Sequence, residues 1–141
     1  MTTLRRLGLH VGRRGAFLIL FGAVYALIGY SYLTLSPVSV QAVRRSLHLA
    51  LNVAPISVWG WAWVVTAIIA ALSGLFGPGR KAVGFVAAVI MPVLWAVANL
   101  AAWIAGDVPR GWVSAAIYAA LAAAAGVVAG MPEPAALKVP L

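Results

Sequence analysis

Charged residues in this chain punctuate long apolar stretches instead of alternating with apolar positions. Gly15 to Leu35, Ile56 to Phe76, Ala82 to Ala105 and Trp112 to Gly130 are four runs of 21, 21, 24 and 19 residues with no charge in any of them. At 1.5 Å per residue, helices of these lengths reach roughly 28 to 36 Å, which matches the hydrocarbon thickness of a bilayer. The pattern predicts an all-α integral membrane protein with four transmembrane helices. They form one domain over residues 15–131, between a basic N-terminus at 1–14 and a short proline-broken tail at 132–141. A cleaved secretory leader is the competing reading of the first run. That run exceeds an apolar leader core of about 7 to 15 residues, so a permanent span is expected.

The one long connection, residues 36–55, has a different period. Gln41, Arg44, Arg45, His48 and Asn52 recur at helical spacing, and Val40, Val43, Leu47, Ala50 and Leu51 fall on the other side. Ser36 or Ser39 suits the cap of such a helix and Pro37 its first position, where an amide would be unpaired in any case. An amphipathic helix over about 37–53 is predicted, lying in the membrane interface with Arg44 and Arg45 toward headgroups. A helical hairpin packed on the end of the bundle fits the same pattern, because amphipathicity alone does not say whether lipid or protein covers the apolar face.

Composition adds sidedness. The chain is 65% hydrophobic and 9% charged, with a mean hydropathy of +1.05, values outside the range of a soluble domain of this size. Of its ten Lys and Arg residues, Arg5, Arg6, Arg13, Arg14, Arg80, Lys81 and Lys138 fall on the side that holds both termini. Arg44, Arg45 and Arg110 fall on the other. Seven against three places both termini in the cytoplasm of a bacterial cell, with the protein multi-pass in the cytoplasmic membrane. Tyr30, Tyr32, Trp59, Trp61, Trp103 and Trp112 collect at the predicted outer ends, and the tryptophans, with Trp63, read as a membrane-interface belt. The basic pairs border apolar runs and form no stripe on a soluble face, so anionic lipid headgroups are the expected partner and nucleic acid is not. The two halves look alike, each opening with a basic pair and a small-residue entry. A four-span protein obeying the charge rule shows this without being a repeat.

Candidate chemistry is sparse. There is no cysteine. The two acids, Asp107 and Glu133, lie on opposite sides of the membrane, so no positioned acid–base pair is in view and no enzyme is predicted. His10 and His48 are likewise separated, and neither a metal nor another cofactor is expected. Asp107 and Arg110, three residues apart, read as a cap and ion pair at the start of the fourth helix. With no ionisable group inside the runs, ion-coupled transport is disfavoured. Asn99 in the third run reads as an interhelical hydrogen-bonding residue, and Pro92 as a packing-tolerated bend.

Small residues are abundant at four-residue spacing. The fourth run carries Gly111, Ala115, Ala119 and Ala123 on one row and Ala122, Gly126 and Gly130 on the next. Ala67, Ala70, Ala71 and Gly74 in the second run and Ala98, Ala102 and Gly106 in the third resemble them. Such rows let backbones approach where lipid supplies no hydrophobic drive. They predict close packing, with Ala115, Ala119, Ala122, Gly126 and Gly130 as the oligomerisation face of a homo-oligomer or of a subunit in a membrane complex.

Arg13-Arg14-Gly15 entering the first span, Pro55 to Trp63 opening the second, Pro92-Val93-Leu94-Trp95 in the third and Pro109-Arg110-Gly111-Trp112 opening the fourth resemble the layout of small four-span membrane proteins of actinobacteria and their phages. Some of these are called holin-like. The resemblance implies a protein that self-associates in the cytoplasmic membrane and permeabilises it for host lysis. A non-catalytic accessory subunit of a larger membrane or phage-associated complex is the second expectation, and a small-solute channel or carrier the third. The tail departs from many holins in carrying only Glu133 and Lys138.

Overall fold

The structure is a computed structural model and describes residues 12–76 and 78–132. Arg5, Arg6, His10, Glu133 and Lys138, with most of both terminal segments, lie outside the described residues. Among the described residues every regular element is a helix: α1 (Arg13–Leu33), α2 (Pro37–Ser46), α3 (His48–Val53), α4 (Ile56–Leu75), α5 (Pro78–Ile104) and α6 (Gly111–Gly130). α1, α4, α5 and α6 are long and apolar enough to cross a membrane. They run alternately up and down, so α1 and α5 begin, and α4 and α6 finish, at one end, here the foot. α2 and α3 sit at the other, the cap end. The third helix starts earlier than the uncharged run implied. Arg80 and Lys81 lie in its first turn, and Lys81 is only 1% exposed.

The closest packing joins α1 to α4, and its cause is a heptad of small residues on both helices. Gly15, Gly22 and Gly29 on α1 face Gly74, Ala67 and Gly60 on α4 in antiparallel register. A Cβ at Gly22 would stand 2.8 Å from the carbonyl oxygen of Ala67, and one at Gly29 2.8 Å from that of Gly60, while one at Gly15 would collide with the carbonyl of Gly74. Glycine is therefore required by backbone approach, which gains dispersion contacts along the whole seam.

α5 is the hub, packing on α1, α4, α6 and the two cap helices. It buries 44% of its most apolar stretch, against 17% for α6, the most peripheral span. The bundle interior is aromatic. From the foot, Phe17 stacks on Phe21 (4.1 Å between centroids), Phe21 meets Tyr25 edge-on (5.7 Å), Tyr25 meets Trp63 (5.0 Å) and Trp63 meets Trp95 (5.5 Å). Edge-to-face pairs at these distances are favoured by the ring quadrupoles. Trp63 is fully buried in this spine, so it belongs to the core and not to the interface belt expected from its position near a span end.

At the cap end, Ser36 caps α2 by accepting from the Ser39 amide at 3.3 Å, with Pro37 following it. The expected single amphipathic helix forms as two, broken at Leu47. Its aliphatic side lies on protein: Leu47 is 3% exposed within the core, Val43, Ala50 and Leu51 pack against that core, and the Trp59 indole donates to the Ala50 carbonyl at 2.9 Å. Arg44 and Arg45 point away and are exposed. Val43, Leu47, Ala50 and Leu51 thus pack on protein, as the hairpin-on-bundle alternative expects, while Val38, Leu49 and Val53 stay exposed. α5 ends in a tight reversal in which Gly106, at φ +82°, lets the Asp107 amide reach back to the Ala102 carbonyl (3.0 Å), and Pro109 prevents continuation.

Candidate functional site

Two features stand out from the closed interior: the outward face of α6 and a polar cavity beneath the cap. On α6 the predicted oligomerisation residues separate. Ala115 and Ala122 are buried within the bundle, whereas Ala119, Gly126 and Gly130 are exposed, and an added Cβ at Gly126 or Gly130 would meet nothing within 4 Å. The row divides because four-residue steps advance about 40° around a helix of 3.6 residues per turn, so its two ends face different neighbours. Ala119, Ala123, Gly126 and Gly130 form a small-residue strip on the outward surface, flanked by exposed Ala116 and Ala120 and by the larger exposed side chains of Val113, Ile117 and Val127. The other spans present branched or long side chains outward, as with Leu20 and Leu27 on α1, Ile68 and Leu72 on α4, and Ile90 and Val97 on α5. The small rows of α4 and α5 face inward at Ala67, Ala70, Gly74, Ala98 and Ala102, all of them buried.

Of the expected belt, Trp61, Trp103 and Trp112 are exposed at the cap end and Trp59 is half-buried. Asn99 is 5% exposed and donates Nδ2–H to the carbonyl of Trp95 in its own helix at 2.8 Å, so its bonding is intrahelical and not the interhelical tie expected.

Asn99 also borders the cavity, about 170 Å³ in volume and partly open, whose other lining residues are Tyr32, Val43, Leu47, Ser114 and Tyr118. α1, α5 and α6 contribute the polar groups, and Val43 and Leu47 cover them from the cap. The Trp95 indole donates to the Tyr32 hydroxyl at 2.7 Å, which in turn is paired with the Tyr118 hydroxyl. Sequence reasoning passed over Ser114 and Tyr118 and read Tyr32 only as one of the aromatics at the outer span ends. The available signal was that Trp95 with Asn99 and Ser114 with Tyr118 are each four apart, which puts two polar pairs on single faces of otherwise apolar helices.

The cap also carries a contact between a histidine and a carboxylate. His48 Nδ1 lies 3.3 Å from Asp107 Oδ2, joining α3 to the α5–α6 turn. This corrects the expected Asp107–Arg110 cap: Arg110 itself occupies the cap position of α6, with no side-chain hydrogen bond there. At the foot, Arg14 crosses from α1 to donate Nη2–H to the Ala129 carbonyl at 2.8 Å, and its guanidinium lies 5.1 Å from the centre of the Phe85 ring. That places a cation on an orphan carbonyl at the negative end of the α6 dipole. Lys81 is buried beside it, its Cε packed near Gly15.

No protein family, characterised protein or solved structure matches the chain.

Proposed function

We propose that the protein acts by assembly in the bacterial cytoplasmic membrane, as a holin-like protein whose copies associate through the outward face of α6 and permeabilise the bilayer, with both termini cytoplasmic. The observation that carries this reading is the contrast between spans. α1, α4 and α5 clothe their outward surfaces largely in aliphatic side chains suited to lipid, whereas α6, beside exposed Ile117 and Val127, carries a continuous strip of Ala119, Ala123, Gly126 and Gly130. Small faces gain little against mobile acyl chains and more against a fixed helix that can approach closely. The layout resemblance to holin-like four-span proteins points the same way. Catalysis has no support in the arrangement, since Asp107, the one acid among the described residues, is engaged by His48 at the bundle end.

An accessory role is the second reading. Trp63 and Trp95 block the middle of a single chain, so any lesion must open between copies; a protein using the same α6 face as an accessory subunit would open none. A potential-sensitive dye in expressing cells separates the two. Holin-like action requires an abrupt collapse of membrane potential with the wild-type chain, delayed or abolished in Gly126→Leu. An undisturbed potential with fully inserted wild-type protein at every expression level rules out permeabilisation. Release of the Gly126→Leu chain from a larger complex would then identify the accessory role.

A further inference from the structure

The cavity beneath the cap has a chemistry of its own, independent of how α6 is used. Its lining gathers two phenol hydroxyls, one primary amide and one aliphatic hydroxyl into a bundle whose interior is otherwise aromatic and alanine-rich. Polar groups at membrane depth are retained where they have partners, and here the internal bonds use only part of their capacity. Asn99 gives one N–H to the Trp95 carbonyl, leaving its second N–H and Oδ1 for an occupant. Tyr32 accepts from the Trp95 indole and shares one hydrogen bond with Tyr118, so of the two phenol protons one remains to donate onward. Ser114 adds a group that both donates and accepts.

We propose that this cavity is a binding site for a small uncharged molecule bearing both a hydrogen-bond donor and an acceptor on a compact apolar or ring-shaped body. Three observations define that class. The lining contains no ionisable acid or base of the Asp, Glu, His, Lys or Arg type, so a charged ligand would lose its hydration without a counter-charge. Donors and acceptors are both present on one side, and Val43 and Leu47 offer hydrocarbon on the other. The volume of about 170 Å³ is close to that of a cavity of about 150 Å³ able to admit benzene, and equals the liquid volume of about six waters.

Because the chain has no cysteine, single thiols report on the cavity in the full-length protein in membrane vesicles. Val43→Cys and Ser114→Cys would be modified with the neutral reagent methyl methanethiosulfonate, with benzamide, benzoate and benzamidinium as shape-matched neutral, anionic and cationic probes. Saturating benzamide should slow modification at both positions at least five-fold, while the two charged probes leave the rates unchanged. Ala120→Cys, exposed on the outward face of α6, should respond to none of the three. Combining Ser114→Cys with Asn99→Leu, or Val43→Cys with the milder Tyr32→Phe, should remove the protection. The proposal fails if neither thiol reacts, if benzamide protects neither, if benzoate or benzamidinium protects as well as benzamide, or if protection survives both lining substitutions. Lack of any protection with freely reacting thiols would mean a cavity that holds water only.

Discussion

The hydroxyl of Tyr25 replaces the hydrogen bond that Pro92 removes. Pro92 lies inside α5 and has no amide hydrogen to give the carbonyl four residues back, that of Ala88, and Tyr25 on α1 donates to that same oxygen at 2.6 Å. A helix in lipid has no water to satisfy a freed carbonyl, so a proline is accommodated only where a neighbour supplies a donor. The two residues are 67 positions apart and act as one unit that orients α1 on the hub helix.

Tyr25→Phe should therefore destabilise the bundle by about 1 kcal/mol, within the range for interhelical hydrogen bonds in membranes. In a Pro92→Ala background the amide of residue 92 regains the Ala88 carbonyl, and the cost of Tyr25→Phe should fall well below that. Reversible unfolding in mixed detergent micelles gives all four corners of the double-mutant cycle. Equal losses in both backgrounds would show that the hydroxyl has no link to the proline.

The glycines differ in kind. Gly22→Val would drive a branched side chain into the Ala67 carbonyl and Ala71, separating α1 from α4 at a cost of about 1 to 3 kcal/mol or more. Gly126→Leu meets open space and should change monomer stability by no more than about 0.5 kcal/mol. Thermal unfolding of the two variants in the same detergent would check this. A Gly126 variant as unstable as the Gly22 variant would mean that α6 is folded against something within the chain.

How much of this was legible in the sequence follows from the range of each interaction. The four spans were visible because bilayer thickness sets their length, and the Ser36 cap because it is local. The α1–α4 seam was missed although Gly15, Gly22 and Gly29 stand in plain view. Their spacing is seven, the period of a shallow antiparallel crossing, and four-residue small rows drew attention to α6 instead. Trp63 was misplaced because an aromatic two turns inside a span can face core or headgroups, and the choice rests on Tyr25 and Trp95 from other helices. The His48–Asp107 pair and the cavity combine residues from distant helices, and no local periodicity encodes them.

Orientation can be read with single thiols. With both termini cytoplasmic, cysteines at Ser39 and Arg110 should react with an impermeant maleimide in intact cells, and one at Gly79 only after lysis. Gly79 suits the purpose because a side chain there meets nothing within 4 Å. Labelling at 79 with none at 39 or 110 would invert the topology.

The last prediction concerns what holds the cap. Leu47 is sunk into the core between α2 and α3, and Trp59 ties the Ala50 carbonyl from below, so removing the leucine side chain leaves a void that the short helices are too small to close. Leu47→Ala should lower the local opening free energy of residues 37–53 by about 2 kcal/mol, a roughly 30-fold gain in amide exchange, while amides of α1 and α4 keep their protection. Arg44 and Arg45 face away from the bundle, so glutamate at both should leave that exchange nearly unchanged if protein packing secures the segment. If anionic headgroups secured it instead, each reversal would forfeit about 1 kcal/mol and the double variant would open the cap while Leu47→Ala would not. Hydrogen exchange of both variants in bilayers rich in anionic lipid therefore decides between the two anchors, and fast exchange confined to the arginine variant would overturn the packing account.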